Sequence, residues 1–269
     1  DHVSNTSKQM LIYKALKYKK PVFAHLPMIL GPDKKRLSKR HGAPGIQIFR
    51  QEGYLPIAVL NYMALLGWNP GTEDEIFSLE ELVNLFDLEQ VQKKSAVWDE
   101  QKLYWISGQQ IMKTPTNVML DSIRATSPDW GKGKDISFLI GVIKLLKVRA
   151  KSLQEFRQQS TYFFEDPVTF DKKASRKRWK DATVNELVLK FKEKLQIIDW
   201  NAEEIENILR DLAEAEKIST GKLIHPVRLA LTGVPHGPSL FALMELLGKN
   251  ACLGRIDYAL SIFPQKEEV

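Results

Sequence analysis

The stretch Lys34-Lys35-Arg36-Leu37-Ser38-Lys39-Arg40-His41-Gly42 carries five cations in its first seven residues and ends at a glycine. It follows the apolar run Phe23 to Leu30 and the turn-forming Gly31-Pro32-Asp33, and it continues into Ala43-Pro44-Gly45. Those neighbours put the charge on a loop, not on a helix face. Like charges held this close repel one another, so the run is either solvated surface or a grip on a polyanion. The second use has a definite chemistry. Lys39 supplies a compact ammonium for phosphoryl oxygens, and Ser38 and the backbone N–H groups add hydrogen bonds. A loop that folds over a triphosphate can make contacts that strengthen as charge develops in a transition state.

Two more cation groups lie further on. Lys172-Lys173-Ala174-Ser175-Arg176-Lys177-Arg178-Trp179-Lys180 places six cations in nine residues around an indole, and Lys144, Lys147, Arg149 and Lys151 recur along one segment. Cations beside an aromatic suit a phosphate backbone with unstacked bases. They suit a solvated helix end equally well.

The rest of the 269-residue chain is ordinary for a globular protein, with 43% hydrophobic and 27% charged residues. Its length suggests roughly two domains. A balance of 39 Lys+Arg against 33 Asp+Glu permits a polyanionic partner without requiring one. Cys252 is the single cysteine, which leaves neither a disulfide framework nor a zinc-type cysteine cluster and fits a reducing, cytoplasmic location. No apolar run approaches the roughly 20 residues that span a membrane. No His/Cys/Asp arrangement has metal-ligand spacing, so zinc is not expected. The chain opens at Asp1 without a methionine and reads as a piece of a longer protein.

The elements that must position these cations are mostly helical. Thr6 to Gln9, Ser78 to Glu81, Ser152 to Glu155, Thr183 to Glu186 and Asn201 to Glu204 each read as a capping box ahead of an apolar run. Asp135 opens a helix with Leu139, Ile143 and Leu146 on one face. Pro56 suits a first helical turn, with Leu60, Met63 and Ala64 read as one face and Gly67 as its stop. Residues 21 to 30 read as a buried strand or extended segment, because Pro21 and Pro27 argue against a helix interior. Trp98, Tyr104 and Trp105 read as core or interdomain packing, His225 as a capping or packing residue, and Cys252 as a buried apolar one. A polar turn, Lys113 to Asn117, marks the main boundary, with a softer break near Asp199 to Asn201. The fold class expected is mainly α: a mixed α/β region over 1–115 holding the basic loop, then all-helical subdomains over 116–198 and 199–269.

Read together, several stretches resemble the bacterial-type glutamyl-tRNA synthetase family. They are Asp1 to Gln9, Phe23 to Asp33, Arg36 to Gly42, Glu52 to Pro56 running into Leu60 to Trp68, His225 to Gly233, and Leu240 to Gly248. The resemblance implies that Arg36, Leu37, Ser38, Lys39 and Arg40 fill the five positions of the second class I signature, KMSKS. That loop closes over ATP while glutamate is activated. Lys39 then matches the lysine on the ATP phosphates, with Arg36 and Ser38 assisting, and His2 matches a position close to the nucleotide. Arg36 departs from the usual first lysine, keeping the charge but presenting a planar fork.

The resemblance also implies ATP and L-glutamate as substrates, Mg²⁺ accompanying ATP in the intact enzyme, glutamate tRNA as partner, and a monomer. The helical half becomes a stem- and anticodon-binding region. Arg149, within Arg149 to Leu153, becomes the base-reading residue, with Lys151, Arg176, Arg178 and Lys180 on the RNA. In relatives an arginine at the Arg149 position goes with charging glutamate tRNA alone. The family's HIGH-like motif and acceptor-binding insertion are absent from this sequence. The expectation is therefore a portion lacking the nucleotide-binding catalytic domain and inactive by itself. The rival reading is a stand-alone, non-catalytic RNA-binding module.

Overall fold

The computed structural model describes residues 2–37 and 45–264. The chain divides into two compact units, residues 1–113 and 114–269. The first unit holds α1 (Val3–Ala15), α2 (Ile46–Gln51), α3 (Pro56–Leu65), α4 (Leu79–Leu85) and α5 (Glu100–Lys113). The second holds α6 (Thr116–Thr126), α7 (Ile136–Leu146), α8 (Leu153–Ser160), α9 (Lys172–Arg178), α10 (Ala182–Leu195), α11 (Ala202–Ala215), α12 (Gly221–Thr232), α13 (Leu240–Leu247) and α14 (Lys249–Ile262).

The mainly helical expectation therefore stands, but the mixed α/β reading of the first part needs correction. Among the described residues, strand pairing is limited to isolated bridges joining Leu30 to Arg36, Leu30 to Val97 and Trp68 to Val91. Residues 21–29 are extended, yet Val22 and Leu26 are exposed, so the segment is not a buried strand. Two prolines interrupt its amide donors, and no neighbouring strand completes a ladder.

The core of the first unit is aromatic. Trp98 lies stacked on Phe49 at 5.9 Å and edge-on to Tyr62 at 4.9 Å, with Leu103 and Ile106 of α5 beside them. Tyr62 accepts a hydrogen bond from the Asp99 amide at 2.7 Å, and burial pushes its phenol up to about 12. Trp98 thus packs as expected, whereas Tyr104 and Trp105 are exposed on α5, and the Lys102 ammonium lies 4.4 Å over the Trp105 ring. The buried face of α3 is Ala58, Val59, Asn61 and Tyr62, while Leu60 and Met63 are exposed. Asn61 explains that choice of face. Its carboxamide donates to the Glu75 carbonyl at 3.0 Å and accepts from the Phe77 amide at 3.0 Å and from Gln110 at 2.8 Å. A polar group that satisfies an otherwise bare loop is worth burying.

Capping chemistry sets several helix starts. Ser78 and Glu81 form the reciprocal box, and Ser152 and Asn201 cap α8 and α11 through the Glu155 and Glu204 amides. Two boxes fail. Thr6 lies inside α1, bonding back to the His2 carbonyl, and Asp181, not Thr183, caps α10.

In the second unit α7 packs on α6, α8 and α13, while α10 packs on α11, α12 and α14. Leu139, Ile143, Leu146 and Phe156 fill the first group; Phe191, Leu195, Leu223, Val227 and Ile256 fill the second. Cys252 is fully buried, as expected. Gly233 ends α12 in the left-handed region at φ 75°, where a Cβ would come within 2.5 Å of the Thr169 carbonyl. Its own carbonyl accepts from the Asp171 amide at 2.8 Å, which joins the end of α12 to the start of α9.

The Asn61 network yields a direct test. Asn61→Ala orphans the Phe77 amide and one Gln110 contact, so urea denaturation should show a loss of about 3 kcal/mol. A loss under about 1 kcal/mol would mean that water replaces the carboxamide.

Candidate functional site

Three groupings bring together residues that could do chemistry. In the first unit, His2 at the start of α1, Thr6 and Gln9 within it, the extended residues 23–29, and Arg36 with Leu37 line a cavity of about 720 Å³. Thr6 Oγ1 lies 3.2 Å from His25 Nε2, which fastens α1 to the extended segment. The approach to the basic loop is tightly held. Gly31 donates to the Lys35 carbonyl at 2.8 Å, Lys35 to the Asp33 carboxylate at 3.0 Å, and Leu37 to the Ile29 carbonyl at 3.0 Å. Leu37 and Ile29 also pack against the aromatic core. Arg36, Leu37 and His2, expected near a nucleotide, therefore share one cavity. Ser38, Lys39 and Arg40 lie outside the described residues.

In the second unit the turn after α7 presents Arg149, exposed. The 3-10 turn Thr161–Phe163 after α8 presents Tyr162, which is buried, and α12 presents Arg228. The side chains of Tyr162 and Arg228 meet at Gly237, where a Cβ would lie 3.0 Å from Arg228 Nη1 and 3.5 Å from the Tyr162 hydroxyl. Arg149 is close enough for its charge to act on both groups.

Among the described residues, the buried side-chain polar atoms without a partner are the indole nitrogens of Trp68 and Trp98, the Tyr162 hydroxyl and Arg228 Nη1. The last two stand together. Burial pushes the Tyr162 phenol up to about 12, against the pull of Arg228 and Arg149, so it stays a neutral donor. Burial, with Arg149 adding to it, holds Arg228 below its ordinary value. Two unpaired donors at a glycine gap, with the Arg149 cation beside them, suit a planar ligand edge that offers acceptors.

Arg255 of α14 fixes that geometry. Its guanidinium, in a residue only 5% exposed, donates to the Tyr162 and Leu231 carbonyls at 2.7 and 2.8 Å, to the Glu165 carbonyl at 3.3 Å, and to the Asp166 carboxylate at 2.7 Å. Trp130 Nε1 donates to the Ser160 hydroxyl at 2.9 Å and secures the start of the same turn.

The third grouping is the basic run at α9. Arg176, Lys177 and Lys180 are exposed and Arg178 is half-buried. Trp179 is buried, stacked on Phe263 at 4.9 Å, with its indole donating to Asn185. It is therefore no platform for a base. Lys151 is half-buried, and Lys147 is committed to the Thr114 carbonyl at 3.2 Å. No group of three or more His, Cys, Asp or Glu placed to hold a metal occurs among the described residues. Nor is any of their helices long and apolar enough to cross a membrane.

Sequence reasoning missed Tyr162, Arg228, Gly237 and Arg255. Arg228 lies within His225 to Gly233, where only His225 was singled out, as a capping or packing residue, and the one available signal was an arginine three residues after it on a helix.

Comparison with known proteins assigns the class. Residues 115–260, more than half of the chain, match the family described as anticodon binding domain, and the chain belongs to that family. Residues 1–105 match tRNA synthetases class I (E and Q), catalytic domain. The particular relatives are glutamate–tRNA ligases. That of Moorella thermoacetica is 43% identical over 96% of this chain and 54% of its own length. Glutamate–tRNA ligase 1 of Alkalilimnicola ehrlichii is 40% identical over 97% and 55%. The crystal structure of a glutamate tRNA ligase from Elizabethkingia meningosepticum, in complex with its amino acid, matches with a TM-score of 0.83 at 31% identity, over 97% of this chain and 55% of that one. The chain spans about half the length of these relatives. Because the catalytic-domain match runs to residue 105, the expected lack of that domain narrows to the absence of a HIGH-like motif.

Two substitutions separate the parts of this site. Tyr162→Phe removes a hydroxyl that has no partner, so stability should move by less than about 1 kcal/mol. Arg255→Met strips three carbonyls of a charged donor and should cost about 3 kcal/mol or more. Urea denaturation checks both, and a large loss in Tyr162→Phe would reveal a partner for the hydroxyl.

Proposed function

We propose that this chain is part of a glutamate–tRNA ligase, in which it grips ATP with the basic loop and reads the anticodon of glutamate tRNA in its helical unit. The reaction joins L-glutamate to ATP as an adenylate with release of pyrophosphate. The tRNA 3′ hydroxyl then takes the glutamyl group and AMP leaves. The observation that carries the reading is 43% identity to such a ligase along nearly the whole chain. What supports the division of labour is the unpaired donor pair Tyr162 and Arg228 beside Arg149.

On the ATP side, His2, Arg36 and Leu37 line one cavity, and Ser38, Lys39 and Arg40 follow Leu37 in the sequence. Lys39, Arg36 and Ser38 are the proposed phosphate contacts, with Arg40 beside them. Mg²⁺ would accompany ATP on its phosphate oxygens. Positioning and charge must come from both class I signatures. The chain, which has no HIGH-like motif, is therefore proposed to be inactive without the remaining half of such an enzyme. A monomer in the cytoplasm fits this role.

On the RNA side, Arg149 is proposed to read the third anticodon base. A guanidinium fork can pair with a base edge or stack on its plane. Lys151, Arg176, Arg178 and Lys180 are proposed as backbone contacts, and the helical unit as two subdomains, 116–198 and 199–269.

The test is binding of glutamate tRNA with its normal anticodon or with the third base altered. The protein should prefer the normal RNA by roughly tenfold or more, given the 1–3 kcal/mol of a good base contact, and Arg149→Gln should abolish the preference. Equal, steeply salt-dependent binding of both RNAs would leave only phosphate contacts and overturn the role of Arg149.

A further inference from the structure

A second cavity, of about 700 Å³, opens between the end of α9, the first half of α10 and the start of α12. It is strongly charged. Lys177, Arg178 and Lys180 line it from the α9 side, and Lys222 and His225 line it from α12. The carboxylates present are largely committed elsewhere. Asp181 caps α10 by accepting from the Thr183 amide at 3.0 Å, and Glu216 pairs with Lys190 at 2.6 Å. Glu186 is the remaining acid, set against four cations that form no ion pair among the described residues. The cavity is therefore built for an anion, and it is too deep in cations for an apolar ligand.

Its position says which anion. Lys222, His225 and Arg228 recur at three-residue spacing, so they share one face of α12. Lys222 and His225 line the cavity, while Arg228 meets Tyr162 at Gly237. The face rises about 9 Å from Lys222 to Arg228, so the cavity and the proposed base site adjoin along α12, with a charged group at each end.

We propose that this cavity holds backbone phosphodiesters of the same RNA strand whose base meets Arg149, Tyr162 and Arg228, and that His225 takes up a proton from solvent as a phosphodiester enters. The inference rests on the RNA-reading role proposed above. In the unbound protein, burial first and then Arg178, Arg228 and Lys177 hold His225 below its ordinary value of 6.5, so it is neutral at pH 7. The facing acids, Asp181, Glu186 and Glu216, do not reverse this. An entering phosphodiester offsets the cations and stabilises the imidazolium, which then donates to the phosphate. Because the bound state holds more protons than the unbound one, affinity must rise as pH falls from 8 through the histidine range towards 6.

The experiment measures the dissociation constant of an anticodon stem-loop RNA for the protein at pH 6 and pH 8, at fixed and at varied salt. Binding should tighten several-fold at the lower pH. His225→Gln should flatten that response, while His236→Gln, in the exposed loop beside Gly237, should leave it intact. Lys222→Ala, at an exposed position that the fold does not depend on, should lower the salt slope by about one. A pH response that survives in His225→Gln, or a salt slope unchanged in Lys222→Ala, overturns the proposal. The preference for the normal anticodon is scored separately. If it is absent while the pH and salt effects hold, base reading fails and the phosphate cavity stands.

Discussion

Everything at the proposed base site depends on one buried guanidinium. Arg255 is on the last helix, and each group it donates to belongs to another part of the second unit: the Tyr162 turn, residues Glu165 and Asp166 after it, and the end of α12. An arginine nearly out of water is expensive unless its donors are matched. Here three carbonyls and a carboxylate match them. The carbonyls are those of residues outside regular ladders, or at a helix end, which would otherwise need water. The same bonds that make the charge tolerable set the spacing between Tyr162 and Arg228. Stability and site geometry therefore have a common origin in the unit, and they fail together.

The first unit solves a related problem without a charge. A loop proposed to present cations to a phosphate has to be anchored by something other than those cations. The anchoring falls to Leu37 and Ile29, which pack on the Phe49, Tyr62 and Trp98 core, and to backbone bonds within Gly31 to Leu37. The Leu30 amide donates to the Ala96 carbonyl and the Leu30 carbonyl accepts from the Trp98 amide, so the run leading to the loop is tied to the segment before α5. Two isolated bridges do here what a sheet would do elsewhere, and the apolar, proline-containing run read as a strand because its residues exclude a helix without showing that no ladder forms.

How much was legible follows from what each signal measures. Ser78, Ser152 and Asn201 were readable as caps because their chemistry is local: a side-chain oxygen within reach of an amide three residues on. Thr6 and Thr183 carry the same pattern and failed because something nearby outcompeted them, an earlier helix start for Thr6 and the Asp181 carboxylate for Thr183. The face of α3 was misread because Leu60 and Met63 are apolar and Asn61 is not, while burial there is decided by bonds to Glu75, Phe77 and Gln110, which come from elsewhere in the chain. Trp179 among its cations left RNA contact and a solvated helix end equally open, and only the distant Phe263 shows that its indole is core. Arg149 and the basic runs could be singled out by type and spacing. Tyr162, Arg228 and Gly237 could not, because a meeting of three loops and helices leaves no period in the sequence.

The unpaired donors at Tyr162 and Arg228 bear on specificity more than on affinity. A buried hydroxyl and a buried guanidinium N–H without partners raise the free energy of the unbound protein. A ligand that offers acceptors at both positions removes that penalty, whereas one that offers a donor or an apolar edge keeps it and adds its own desolvation. Discrimination built this way exceeds what a snug apolar pocket achieves, since the wrong ligand strands polar groups instead of leaving a small void. Gly237 makes the device possible by keeping the gap open, and Arg255 keeps it from closing by relaxation. The surrounding cations would act differently in the proposed role, since charge attracts any RNA strand whatever its bases. On the proposed reading, selection and attraction are carried by separate groups in the helical unit, and α12 is where they adjoin, with His225 and Lys222 lining the cationic cavity and Arg228 beside the Gly237 gap.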